Sequence, residues 1–344
     1  MSIFDLVNSV ALVAYWETLA TQQPPYLGEE LFPANQKLGL KLEWIKGAKG
    51  LPVVLLPSAY DVKAKKRDRI GFEKLSTQMP FFKESTSIDE ELRQQLNMVL
   101  ETGNQVYIDS IVNNVFDDEM RLLTGARAQR ERMRMQALTT GAISISANGQ
   151  DYDYDYGIPE NHKSTVSVSW SDPAATIIDD IKGALDTIEE DTGNRPTRAI
   201  CSSVTWKYFR KNKEIRNMIL GNNTSVPVKE SAIKDLIEEE LKLEVVVYNK
   251  KYKDEAGNNQ KFVDDDIFVM FPSGALGTSW FGTTPEQSDL MASKAANVVI
   301  TDVGVAVTTT ETADPVNVDT KVSMIFLPSF EAAEEVYILD VNAA

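Results

Sequence analysis

Asp151, Asp153 and Asp155 are the first residues of this 344-residue chain whose type and spacing suggest chemistry, because carboxylates two residues apart open a calcium loop. The EF-hand pattern then needs Gly where Tyr156 stands and a bidentate Glu where His162 stands. On a strand the three carboxylates line one face and Tyr152, Tyr154 and Tyr156 the other, so an acidic solvent face on a half-buried hairpin strand is the favoured reading. Asp264, Asp265 and Asp266 are consecutive and do not converge on one metal without special backbone geometry. They read as a solvated turn leading into a buried strand. His162 is the only histidine, which excludes multi-histidine metal sites. Ser164 lies near it, but no nucleophile-elbow pattern surrounds any serine. Cys201, the only cysteine, falls on an expected buried strand and reads as structural; no internal disulfide is possible. No Walker loop, dinucleotide fingerprint or zinc spacing is present, so no catalytic, cofactor or metal residue is assigned. The glycine-punctuated run from Phe271 to Pro285 lacks the Lys or helix start of a phosphate cradle and reads as a shaped loop for subunit contact.

The elements that carry these residues can be read from periodicity. Phe4 to Leu19 is amphipathic, and Pro24, Pro25 and Pro33 follow; this segment is either an extended arm lying on a surface or a helix docked on its own domain. From Lys37 to Ile88 the chain reads as a long two-stranded arm. Leu38, Leu40, Leu42 and Trp44 alternate with Lys37, Gly39, Lys41 and Glu43, and the basic residues Lys63, Lys65, Lys66, Arg67 and Arg69 come later. An isolated two-stranded ribbon is marginal in water, so its apolar face must be covered by the rest of the chain or by a neighbouring copy. The second is the working expectation.

Ser87 and Glu90 form a capping-box pattern ahead of a helix over 88–101. A further helix runs from Val106 toward Thr139, with Thr124-Gly125 as the place where it could break. Its later half carries Arg127, Arg130 and Arg134 at i, i+3, i+7. They could meet acidic groups on a neighbouring subunit, complement the helix dipole, or form a solvated face, and the solvated face is favoured. Asn148-Gly149 predicts a hairpin between Ile143 and Tyr156. Asp172 and Pro173 predict the start of a helix with Ile177, Ile178, Ile181, Leu185 and Ile188 as its buried stripe. Alternating strands and helices follow to about residue 300, and then strand follows strand. These last strands are expected to return to pair with the hairpin and the long helix.

The composition, 43% apolar and 25% charged, is that of a folded chain. The net charge of −16 argues against a general nucleic-acid binder and opposes uncontrolled association. Apolar runs fall well short of the roughly 20 residues of a membrane span, and the first residues lack the pattern of a secretory signal.

The order of these parts resembles the lambda-type major capsid proteins of tailed bacteriophages, the phage capsid protein E family. The likeness rests on the N-terminal segment, the arm at 37–88, the basic helix near 117–139 and the Asn148-Gly149 hairpin. It rests further on Val247-Tyr248 with Tyr252, Phe262, Phe271-Pro272-Ser273-Gly274-Ala275-Leu276-Gly277 and Gly282-Thr283-Thr284-Pro285-Glu286. The resemblance implies an α+β chain with the Hong Kong 97-type capsid fold. Mapped onto this sequence it implies an N-terminal arm over 1–36, an extended loop over 37–88, a peripheral domain over 89–164 and 298–344 with a long spine helix, and an inserted axial domain over 165–297. It implies a structural protein, not an enzyme, that forms hexamers and pentamers of an icosahedral head around double-stranded DNA. Its place would be the virion after assembly in the host cytoplasm, with scaffolding, portal and decoration proteins as further partners, no cofactor and no membrane. The expected subunit-contact residues are Leu38, Leu40, Leu42, Trp44, Lys63, Lys65, Lys66, Arg67, Arg69, Arg127, Arg130 and Arg134. The alternatives are an encapsulin-like shell around protein cargo and a metal-dependent enzyme using the face of Asp151, Asp153 and Asp155.

Overall fold

The computed structural model describes residues 8–46, 73–88, 90–91, 94, 97–98, 105–147, 149–221, 226–254, 256–291, 296–314 and 316–342. Helix α1, Ser9–Ala20, starts where the Asn8 side-chain oxygen accepts a hydrogen bond from the Ala11 N–H. The short helix α2, Leu27–Leu31, leads into strand β1, Ala34–Gln36. The strand expected from Lys37 to Trp44 is interrupted, because Gly39 adopts φ +90°, and β2 begins only at Lys41–Lys46. It pairs with β3, Glu73–Gln78, as a two-stranded ribbon, and β4, Phe81–Ile88, follows. The turn and the basic run of the arm lie outside the described residues, as does much of the helix expected over 88–101.

Helix α3, Gln105–Thr140, is continuous for 36 residues, with no break at Thr124-Gly125. It stops at Gly141, whose φ of +76° sets a left-handed C-cap and where a Cβ would lie 2.8 Å from Ile158 Cδ1. Strands β5, Ala142–Ala147, and β6, Gln150–Asp155, then form the expected hairpin, with Ile145 opposite Tyr152.

Strand β7, Lys163–Thr165, precedes α4, Ile177–Thr192. The helix starts later than Asp172-Pro173 suggested, because the Asp172 side chain accepts from Ala174 N–H and closes a separate turn. Beyond Gly193, at φ +73°, come β8, Arg198–Cys201, α5, Ser203–Lys211, α6, Lys213–Leu220, and α7, Glu230–Leu241. The remaining strands are β9, Glu244–Val247, β10, Lys251–Lys253, β11, Asn259–Lys261, β12, Ile267–Phe271, and β13, Thr278–Phe281. They end with β14, Asn297–Thr301, β15, Val305–Ala313, β16, Val316–Ser329, and β17, Tyr337–Asp340.

The chain divides into two compact units. Unit 1 comprises 1–42, 76–133 and 278–329. Its sheet has the order β1-β13-β16-β15-β14, and β16 is long enough to take two partners end to end along one edge. Val318 to Ile325 pair with β4, and Phe326 to Ser329 pair with β13. Against this sheet α1 buries Leu12, Val13 and Trp16, so the N-terminal helix is docked on its own unit.

Unit 2 comprises 43–75, 134–277 and 330–344, with a mixed sheet in the order β7-β17-β12-β8-β9. Its apolar core combines the α4 stripe of Ile177, Ile178, Ile181, Leu185 and Ile188 with Trp170, Phe209 and Phe268, whose rings sit 5.3 to 5.8 Å apart. The last strands do not pair with the β5-β6 hairpin: β14 to β16 join β4 and β13, and β17 joins β12 and β7. Among the described residues no helix is long and apolar enough to cross a membrane.

Candidate interaction surface

The residues that could have carried catalysis are not brought together in one site among the described residues. Asp151, Asp153 and Asp155 point to solvent from β6 while Tyr154 and Tyr156 are buried, the alternation a half-buried strand imposes. Among the described residues no group of three or more His, Cys, Asp or Glu side chains is arranged to hold a metal ion. His162 Nε2 lies 3.0 Å from Asp191 Oδ2, and its ring stacks on Tyr337. Ser164 Oγ instead bonds the Tyr337 hydroxyl at 2.9 Å, so serine and histidine do not form a nucleophile and base. Cys201 is fully buried, and burial pushes its thiol up to about 12, which leaves it without the thiolate that reactivity requires.

The Asp264–Asp266 segment is a correction to the solvated turn expected there. Asp265 accepts hydrogen bonds from the Ser202 hydroxyl at 2.6 Å and from Lys261 Nζ at 2.6 and 2.8 Å. Burial alone would raise its carboxyl, but these bonds outweigh it and hold the group below its ordinary range. Ser202 in turn caps α5 by accepting from Val204 and Thr205 N–H. Asp266 accepts from the Tyr208 hydroxyl, and burial together with this bond pushes that phenol up to about 12. The acidic run is therefore a clamp on the start of one helix.

The glycine-punctuated run also has a different role from the contact loop expected. Its middle is β13, inserted between β1 and β16 with Trp280 opposite Leu327 and Phe281 opposite Phe326. Gly282 follows because nothing larger fits: a Cβ there would lie 2.6 Å from Ile325 Cγ2 and 2.8 Å from the Gly39 carbonyl oxygen. Four residues flanked by glycines carry too little pattern to read as a strand.

Of the expected contact residues, Leu38 and Leu40 are exposed, at 85% and 45%, and Leu42 is fully buried within the chain. Trp44 lies on β2, with its side chain outside the described set, and Lys63, Lys65, Lys66, Arg67 and Arg69 lie outside the described residues. Arg127, Arg130 and Arg134 are buried, so they do not form the solvated face that the residue pattern favoured. Acidic partners for two of them come from this chain. Arg127 grips Glu29 through two hydrogen bonds of 2.8 and 3.0 Å and stacks over Tyr26 at 5.1 Å. Arg130 pairs with Asp302 at 2.8 Å and stacks over Phe281 at 5.6 Å.

The backbone beneath the two exposed leucines is fixed. Lys37 N–H donates to the Phe281 carbonyl at 2.8 Å, and Met79 N–H donates to the Leu40 carbonyl at 2.9 Å. Leu38 and Leu40 are thus exposed on a backbone anchored on either side by hydrogen bonds, at the foot of the β2-β3 ribbon.

Among curated proteins none matches the sequence. Among solved structures, the chain is similar to a putative capsid protein of an Escherichia coli CFT073 prophage at 17% identity and a TM-score of 0.53, covering 79% of this chain and 80% of that one. It is similar to a phage-related protein from Bordetella bronchiseptica RB50 at 15% identity and a TM-score of 0.54, covering 96% and 98%. The capsid asymmetric unit of cyanophage A-1(L) aligns at 10% identity and a TM-score of 0.51, covering 92% of each chain. At these identities the likeness is one of fold, and the fold is the Hong Kong 97-type capsid fold. The family model described as phage major capsid protein E matches residues 8–341, nearly the whole chain, and this protein belongs to that family.

Proposed function

We propose that this chain assembles into the hexamers and pentamers of an icosahedral head that encloses double-stranded DNA, and that it catalyses no reaction. The observation that carries the reading is the family match across 8–341. In this reading the extended loop 37–88 reaches over an adjacent copy. Leu38, Leu40 and Trp44 supply apolar contact, and Lys63, Lys65, Lys66, Arg67 and Arg69 meet the neighbour's acidic surface.

Burying an exposed leucine is worth about 1.5 to 3 kcal/mol, and a backbone already held in place loses little entropy on docking. Each contact is weak, but a closed lattice repeats it around every copy. The charge of −16 limits premature association and keeps packaged DNA from adhering to the wall. Scaffolding, portal and decoration proteins are further partners, and assembly takes place in the host cytoplasm.

Electron microscopy and sedimentation of the purified protein, with assay of nucleic acid in the particles, test the reading. Uniform shells or rings of five and six are expected, and L38D/L40D should lower their yield without lowering the unfolding temperature. A stable monomer with and without scaffold would overturn it, and shells holding protein cargo in place of DNA would show an encapsulin-like container.

A further inference from the structure

Helices α5 and α6 of unit 2 concentrate positive charge in a chain that is acidic as a whole. Lys207, Arg210 and Lys211 on α5, and Lys213 at the start of α6, are exposed and without an ion-pair partner among the described residues. The first three line a cavity of about 300 Å3 with Arg216, Pro227 and Val228. Lys207 and Arg210 also border a second cavity, of about 590 Å3, beside Trp206, Lys234 and the edge strand β9. The dipole of α5 accounts for Arg210 and Lys211 in its last turn. It does not account for Lys207, nor for Lys213 at the positive end of α6.

The opposite sign is found on α7. Ile233, Ile237 and Leu241 face the core, and Glu230 and Lys234 border the second cavity. Helical spacing then puts Asp235 and Glu239 on the side away from the core. Both are exposed and lack an ion-pair partner among the described residues, and as like charges at i, i+4 they oppose the helix that carries them. Glu238 and Glu240 add negative charge to a last turn that contains no basic residue, where the dipole disfavours it.

One unit therefore bears a basic face, compensated only in part where Lys207 acts on Asp265, and an acidic face with no ion pair at Asp235 or Glu239 among the described residues. That combination suits a heterologous contact, in which a surface of one copy meets a different surface of the next and the repeat closes into a ring. We propose that Lys207, Arg210 and Lys211 of one copy seat against Asp235 and Glu239 of the next copy around the capsomer. This rests on the capsid-subunit reading above. A nucleic-acid backbone is the less favoured occupant, because the chain as a whole carries a charge of −16, whereas every copy presents exposed carboxylates on α7 to its neighbours.

Two full-length charge-reversal variants test the contact, K207E/R210E and D235K/E239K. All four positions are exposed, and circular dichroism with thermal melts checks that the fold is kept. At low salt each variant alone should give about tenfold fewer rings and shells by sedimentation than the parent protein, since like charges now face each other. An equal mixture should recover six-membered rings, because the two reversed faces complement each other and so do the two unaltered ones. Either variant assembling at the parent yield, or a mixture no better than its parts, would overturn the contact. Normal shells from K207E/R210E with depleted nucleic acid would also overturn it, by assigning the groove to phosphates. A parent protein that forms no ring or shell would remove the capsid reading itself.

Discussion

Glu119 offers the sharpest test of the structure, because its carboxyl is buried on α3 with only one of its two oxygens satisfied. Oε1 accepts a hydrogen bond from Thr320 Oγ1 on β16 at 3.0 Å, while Oε2 has no hydrogen-bond partner among the described residues. Burial pushes the group from its ordinary 4.5 up to about 7, and the Thr320 bond only partly offsets that. A folded-state value above the unfolded one means that the folded protein holds the proton more tightly. The stabilisation is complete below about pH 4.5 and is lost as pH rises through about 7. At about 1.4 kcal/mol per pH unit the loss is about 3 kcal/mol. Glu119→Gln keeps the shape and cannot ionise, so its unfolding free energy should lack this slope. Urea unfolding of both proteins from about pH 4.5 to about pH 8 should give a difference curve that climbs by about 3 kcal/mol in favour of Gln. Thr320→Val should prolong the rise to higher pH and enlarge it, because it removes the bond that favours the ionised form. A flat difference curve, or one that climbs toward acid, would refute the reasoning.

The other expectations follow from named contacts. Arg127→Met leaves Glu29 half-buried without its two-pronged partner and should cost about 1 to 3 kcal/mol in urea unfolding, with Arg127→Lys in between because an ammonium cannot form the fork. Gly282→Ala should cost about 2 to 4 kcal/mol, since its Cβ meets Ile325 and the Gly39 carbonyl. Gly125→Ala, with nothing within 4 Å, should instead gain about 0.5 to 1 kcal/mol by helix propensity, and thermal melts of the pair check the contrast. Cys201 should resist an aromatic disulfide reagent in the folded protein and react once in denaturant, so rapid native labelling would contradict its burial. Replacing Asp151, Asp153 and Asp155 together by Asn should leave particle yield unchanged and divalent-metal binding undetectable by calorimetry.

What the sequence makes legible is what local periodicity encodes. The long helix, the Asn148-Gly149 hairpin and the α4 stripe follow from 3.6-residue spacing or from turn chemistry, and the structure has all three. What it hides is decided by partners distant along the chain. Ser87 and Glu90 match a capping box, yet Ser87 bonds Asp319, and Glu90 accepts from Val316 N–H, so both side chains serve the edge of β16. The basic helix is visible as charge, but the acids that receive Arg127 and Arg130 lie 98 and 172 residues away. Strand β1 is exposed along its whole length and β13 has four residues, so neither carries a hydrophobic pattern. The apolar alternation from Leu38 does not mark a single face, because Leu38 and Leu40 are exposed and Leu42, the next residue of that pattern, is buried.

Both units hold carboxyls shifted by the fold, and this has a consequence for pH. Unit 2 is built on an apolar cluster, yet burial raises the Asp180 carboxyl there, while at Asp265 burial is outweighed by hydrogen bonds from Lys261 and Ser202, which hold it below its ordinary range. Unit 1 buries Glu119, Glu131, Arg127, Arg130 and Glu286 around its sheet, so its stability depends on ionisation. Glu286 carries the opposite sign to Glu119. Burial alone would raise its carboxyl, but Lys321 Nζ at 2.7 Å and the Ser323 hydroxyl at 2.9 Å bring it below its ordinary range. Its contribution is present above the unfolded value of 4.5 and is lost as pH falls through the lowered folded value. Acid therefore loosens the sheet at Glu286, and alkali loosens it at Glu119. Unit 1 is firmest near pH 4.5 to 5, where the Glu286 contribution is nearly complete and the Glu119 contribution has only begun to fall. Raising the pH through about 7 should therefore weaken the sheet around Glu119, which hydrogen exchange resolved along the chain would show as a loss of protection centred on β16, where Thr320 holds that carboxyl, and unchanged protection there would contradict the assignment.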